Sequence, residues 1–153
     1  MKLSANFSVS ELTRSQTATR KGIDNTPNDE QLENLKDLCE NVLQPIRDHF
    51  GKPVRISSGL RVPELNTAIG GSTTSDHCKG MAADIEIPGV DNKELAEWIG
   101  ETLEFRQLIL EFYTGTPDSG WVHVSYDKND NKQQVLTATK QNGKTVYLAG
   151  LIA

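Results

Sequence analysis

Cysteine, histidine and long apolar runs are all scarce in this chain, and each shortage closes off an explanation. Two cysteines, Cys39 and Cys78, cannot build the multi-bridge framework of a small secreted domain; without a secretory signal, such sparse use favours reduced thiols. The opening Met1-Lys2-Leu3-Ser4-Ala5-Asn6-Phe7 lacks the apolar centre of a signal peptide, and no later stretch approaches the length of a membrane span. No basic stripe offsets the net charge of -5, which argues against nucleic acid as a partner. The expectation is a monomer made in a cytoplasm, without membrane insertion.

What is there suffices for one core. A chain of 153 residues buries enough apolar surface to fold without disulfides or a structural metal. It shows no repeat, linker or low-complexity tract, so residues 1–153 are expected to form one domain. Ser8 to Glu11 reads as a capping box with Phe7 and Leu12 as its hydrophobic staple. Thr13 to Thr26, rich in Ser, Thr and Asn, predicts an irregular loop. Asn28 then caps a helix whose apolar residues, from Leu32 to Ile46, recur at three and four. Pro45 should kink that helix, and Gly51 should cap its end.

Further on, Val54 to Ser57 and Met81 to Ile87 read as strands separated by a short helix from Pro63. Asp91 caps another helix, after which Gln107 to Tyr113 and Trp121 to Tyr126 read as an antiparallel pair. A hairpin over about residues 134–149 turns at Asn142-Gly143. The fold class expected is α+β, with helices packed on a small, mainly antiparallel sheet.

Of three histidines, His49 lies in a charged helical segment where exposure is the natural reading. His77 sits among small and polar residues seven positions before Asp84, and His123 sits in an apolar strand where an unpartnered imidazole would be costly. His77, Asp84 and His123 together make a two-imidazole, one-carboxylate set, which suits one zinc ion per chain with a fourth position left open. Cys78 adjoins His77 and is a competing ligand or nucleophile in principle, but nothing in its surroundings lowers a thiol pKa.

Glu111 is an acid in the apolar run Leu108 to Tyr113. If that strand lies beside the one carrying His123, the carboxylate reaches the metal as a general base; the alternative is an outward-pointing side chain on a half-exposed strand. Arg61 has the planar fork for a substrate carboxylate or an oxyanion, although its position alone favours a surface residue capping the next helix.

The pattern Ser75-x-His77-x-x-Gly80-x-Ala82-x-Asp84, followed by Trp121-x-His123 and preceded by Ser57-Ser58-Gly59-Leu60-Arg61, resembles the zinc D-alanyl-D-alanine carboxypeptidase family. That family includes phage endolysins and shares its fold with the hedgehog signalling domain. The resemblance runs from about Phe7 to Tyr126, its opening looks like the small phage and prophage branch, and it leaves the tail after Asp127 uncovered. It implies that His77, Asp84 and His123 bind zinc, that Arg61 contacts substrate or transition state, and that Ser75 supports the substrate site by hydrogen bonding. Many relatives carry Asp or Glu three residues before the last histidine, where this chain has Gly120. Glu111 looks like the glutamate of the hedgehog-type arrangement and is the first choice for the catalytic acid; Asp118 in the loop is the second.

The activity implied is hydrolysis of a peptide bond in the peptidoglycan stem peptide, next to D-alanine or at the L-alanyl-D-glutamate link. A zinc-containing binding module or a virion structural protein on the same fold is the alternative class. The missing signal peptide fits a phage enzyme made in the host cytoplasm, acting at the wall after release or carried in the particle.

Overall fold

The computed structural model describes residues 1–152. Its elements are β1 (Lys2–Ser4), β2 (Phe7–Ser8), α1 (Val9–Thr13), α2 (Gln16–Lys21), α3 (Asp29–Leu38), α4 (Gln44–Phe50), β3 (Arg55–Ser58), α5 (Pro63–Ala68), β4 (Ala82–Glu86), α6 (Asn92–Thr102), β5 (Gln107–Glu111), β6 (Trp121–Ser125), β7 (Gln134–Gln141) and β8 (Lys144–Ala149). This is the expected mixed α+β arrangement of helices against a sheet. The main sheet has six strands in the order β3-β4-β6-β5-β7-β8. Every neighbouring pair is antiparallel except β5 with β7, which run parallel.

The alternation of side chains along a strand divides this sheet into two unlike faces. Ala83, Ile85, Leu108, Leu110, Val122 and Val124 are fully buried on one face. They belong to one core with Leu35, Leu38, Val42, Leu43 and Ile46 of the α3–α4 unit and with Leu95, Ala96 and Ile99 of α6. The opposite face, carrying Asp84, His123 and Glu111, forms the floor of a cleft.

Local chemistry explains most element ends. Asn28 and Gln31 exchange bonds in a capping box at the start of α3, and Ser8 caps α1 by accepting from the Glu11 amide. Pro45 does not break the long helix sharply. A widened π-helical turn over Cys39–Leu43 precedes it, and the Gln44 amide reaches back to Cys39. That turn keeps Cys39, Val42 and Leu43 buried while the chain passes the proline. The Asn142-Gly143 turn between β7 and β8 has positive φ at both residues, 52° and 77°, as a tight hairpin requires.

Two features were not anticipated. The segment Thr13 to Thr26, expected as a loop, contains α2, capped by Ser15, whose hydroxyl accepts from Ala18. Only Ala18 of this short helix is buried, so there is no apolar period for a pattern to reveal. The β1–β2 pair is equally short, and its strands are legible only through Leu3 and Phe7 entering the core.

Leu38 touches no solvent and sits where α3 meets the widened turn. Leu38→Ala should lower stability by about 2–5 kcal/mol, the range for deleting a fully buried leucine. Urea unfolding followed by circular dichroism measures it; a loss below about 1 kcal/mol would show that the core collapses around the gap.

Candidate metal centre and catalytic cleft

His77 reaches the cleft from a 3-10 turn at Asp76–Lys79, which Ser75 caps by accepting from the His77 amide at 3.2 Å. The turn is clamped by Arg106, which also lines the cleft. Its Nε donates to Asp76 Oδ2 at 3.1 Å, while Nη1 lies 2.7 Å from Asp130 and 3.9 Å from Asp127. The His77 ring is set by a single bond: Nδ1 lies 2.8 Å from the Gly59 carbonyl. A carbonyl oxygen only accepts, so Nδ1 carries the hydrogen and Nε2 is left with its lone pair toward the cleft.

Asp84 and His123 face each other across the β4–β6 pair, where they are direct register partners. Asp84 Oδ1 lies 3.0 Å from His123 Nδ1 and 3.3 Å from His77 Nε2. The other oxygen, Oδ2, accepts from Arg61 Nη2 at 3.3 Å. Burial alone would raise the Asp84 carboxyl; the hydrogen bond that His123 donates, together with the neighbouring His77 ring, holds it well below the usual carboxylate range. Burial would likewise lower His123. The hydrogen bond and charge of Asp84, then the charges of Glu111 and Asp76, outweigh it and raise the imidazole instead.

This donor set fits zinc. One ligand atom from each of His77, Asp84 and His123 lies within 4.8 Å of the others, and tetrahedral ligands each about 2 Å from zinc stand about 3.3 Å apart. The field around them is one that draws positive charge, and the orientation of His77 is already fixed by the Gly59 carbonyl behind it. Three protein donors leave a fourth position toward the cleft, which has a volume of about 500 Å³.

Glu111 ends β5 opposite Trp121, and Ile109 pairs with His123, so Glu111 and His123 share one face of the sheet. Trp121 Nε1 donates to Glu111 Oε2 at 2.8 Å, while Oε1 has no protein partner among the described residues. Burial, and after it the charge of Asp84, push the Glu111 carboxyl above its ordinary range against the opposing influence of His123, Trp121 and Arg61. A raised carboxylate beside the metal ligands is what a proton-transfer group needs.

Residues 5–125 match the peptidase M15 family. The chain belongs to that family. Together with the His-Asp-His triad, this makes it a zinc metallopeptidase. The match begins and ends within two residues of the span expected from the motifs. A comparison with curated proteins found no match. No helix among the described residues is long and apolar enough to cross a membrane.

The expected site residues divide cleanly by position. His77, Asp84, His123, Glu111, Arg61 and Ser75 of this M15 peptidase all line the same cleft. Ser75 spends its hydroxyl on the backbone cap of the turn, so its support acts through His77. Arg61 is no surface residue: Nε donates to Ser58 at 2.9 Å and Nη1 to Asn66 at 3.4 Å, besides its bond to Asp84. Asp118 is exposed in the 112–120 loop and does not line the cleft. Cys78 is outside the ligand cluster, and burial raises its thiol. His49 is exposed and stacks on Trp98 at 4.3 Å.

Two contributors escaped the sequence reading. Arg106, the clamp on the His77 turn, was invisible because its three acidic partners come from distant segments. Gly120 was noted only as the missing acid of other relatives. It has φ +63°, and a Cβ there would collide with the Glu111 carbonyl. The position therefore has no room for a side chain, while Glu111 on the facing strand end brings a carboxylate to the cleft.

His123→Ala should lose most of its zinc, measured by elemental analysis, while the far-UV circular dichroism stays near that of the parent. Full zinc in that variant would remove His123 from the ligand set. Gly120→Ala should displace the Glu111 backbone and lower stability by roughly 2 kcal/mol or more, the combined effect of positive φ and a steric clash. An unchanged thermal midpoint would contradict the close packing of Gly120 against Glu111.

Proposed function

We propose that this M15 peptidase hydrolyses a peptide bond in bacterial peptidoglycan, as a D-alanyl-D-alanine carboxypeptidase or L-alanyl-D-glutamate endopeptidase of phage-lysin type. The observation that carries the reading is the convergence of the triad, Glu111 and Arg61 in one cleft. The motif resemblance to wall peptidases supplies the substrate class. A single domain that binds one zinc per chain, working as a monomer on the stem peptide, completes the proposal. Its route is synthesis in a host cytoplasm and action at the wall after release, or carriage in a phage particle.

His77 through Nε2, Asp84 through Oδ1 and His123 through Nδ1, in exchange for the proton that Nδ1 gives to Asp84, would hold the ion. When bound, zinc supplies Lewis-acid chemistry, polarising the scissile carbonyl and acidifying water. Glu111 accepts a proton from the attacking water through its free oxygen, as the water oxygen bonds to the carbonyl carbon. It then delivers that proton to the amine nitrogen as the carbon–nitrogen bond breaks. Trp121 holds the other oxygen and so fixes the direction in which the free one points. Arg61 is pre-ordered by Ser58, Asn66 and Asp84 at the edge of the cleft, which supports a role in binding a substrate carboxylate or a developing oxyanion.

Glu111→Gln keeps the shape of the side chain but cannot take the proton. It should retain zinc and fold, and cleave purified peptidoglycan fragments at least about a hundredfold more slowly, within the usual range for loss of general-base catalysis. Asp118→Asn, altering an exposed loop carboxylate, should cleave at close to the parent rate. A dead Asp118→Asn beside a normal Glu111→Gln would transfer the proton-carrying role to the loop. Release of new amino groups from purified walls, followed by mass analysis of the fragments, identifies the bond; no release by the zinc-loaded parent would defeat the peptidoglycan assignment.

A further inference from the structure

The cleft floor continues past the end of the family match. That match stops at residue 125, whereas the β7–β8 hairpin comprises Gln134–Gln141 and Lys144–Ala149. In the sheet register Glu111 faces Ala138 of β7, and Ala138 faces Tyr147 of β8. These three residues therefore form one row across the cleft face. Ala138 contributes only a methyl group and is fully buried, while Tyr147 is 55% exposed and lines the same cavity as the zinc ligands. One row along, Leu136 faces Ile109, and both line that cavity too. Burial, and then the charge of Glu111, raise the Tyr147 phenol, so ring and carboxylate are within electrical reach.

Ile109, Leu136 and Tyr147 thus make an apolar strip on one side of the triad. Arg61 and the Ser72–Ser75 segment make a polar bank on the other. Strands lie about 4.8 Å apart, so two added strands extend the floor by roughly 10 Å, the span of about three extended residues. An exposed tyrosine over such a floor offers a rigid apolar face at little entropic cost.

We propose that the β7–β8 hairpin is a substrate subsite that holds two or three further residues of an extended peptide on one side of the scissile bond. Tyr147 covers an aliphatic portion of that peptide. The natural occupant is the stem peptide only insofar as the peptidoglycan reading above is right; the subsite itself requires only a peptide.

Two series of synthetic peptides test this, one lengthened residue by residue on the amino side of the cleaved bond and one on the carboxyl side. Each is made with stem-peptide chemistry and with ordinary L-residues. With the zinc-loaded parent, one series should gain at least about tenfold in kcat/KM over two or three added residues, chiefly through KM. Tyr147→Ala should lose that gain and Tyr147→Phe should keep it. Calorimetric binding of the long and short peptides to Glu111→Gln, with and without Tyr147→Ala, reads the same preference without turnover. No gain in either series, or a gain that survives in Tyr147→Ala, overturns the subsite. If only L-peptides are cut and the gain still depends on Tyr147, the peptidoglycan reading fails and the subsite stands. If stem peptides are cut at a rate indifferent to length, the subsite fails and the peptidoglycan reading stands.

Discussion

Burying the Asp84 carboxylate is unfavourable unless cations or hydrogen-bond donors surround it, and the surroundings of this one come from three other parts of the chain. His123 arrives from the next strand, His77 from the capped turn, and Arg61 from the segment after β3, itself held by Ser58 and Asn66. The two oxygens divide the duty. Oδ1 meets both imidazoles and Oδ2 meets the guanidinium, so the carboxylate plane is defined before any ion is considered. The second layer follows from the same demand: the Gly59 carbonyl orients His77, and Arg106 ties its turn to the segment after β6.

The site was legible where chemistry is carried by residue type and spacing. His77, Asp84 and His123 stood out because a chain with three histidines places two of them in unusual settings, and Glu111 stood out as an acid in an apolar strand. Period-two and period-3.6 patterns marked β4, β5, β6, α3 and α6 because each buries one face against the other layer. What stayed hidden is what depends on partners distant in sequence. The Arg106 clamp, the parallel docking of β7 on β5 and the row Glu111–Ala138–Tyr147 arise only when the sheet order is known. The helix α2 was missed for a different reason: six residues with one buried side chain carry no period to detect.

The loop between β5 and β6 shows how scaffold and chemistry are joined. Asn92, at the start of α6, donates to the carbonyls of Ser119 and Gly120 at 3.0 and 3.3 Å, and its amide bonds to Pro117. A core helix therefore pins the far end of the loop, and Gly120 lets that end press against Glu111. Phe112, with φ 57°, leaves β5 directly after the glutamate while its amide bonds to Ala138 of β7. Glu111 is thereby held from both neighbouring strands although it stands at the mouth of a loop, a setting in which side chains are ordinarily mobile.

Neither thiol takes part in any of this. Cys39 lies wholly within the core with its pKa pushed up to about 12 by burial and by the nearby Glu11 and Glu40 charges, and Cys78 is partly covered with its thiol also raised. Little thiolate is available at neutral pH to attack or be oxidised, and no covalent bridge helps define the fold. Passage between reducing and oxidising surroundings consequently breaks no covalent bond on which the fold depends. Shape persistence rests on packing and on the charge array around Asp84, so acidity and metal supply, rather than redox potential, are the environmental variables to which this molecule answers.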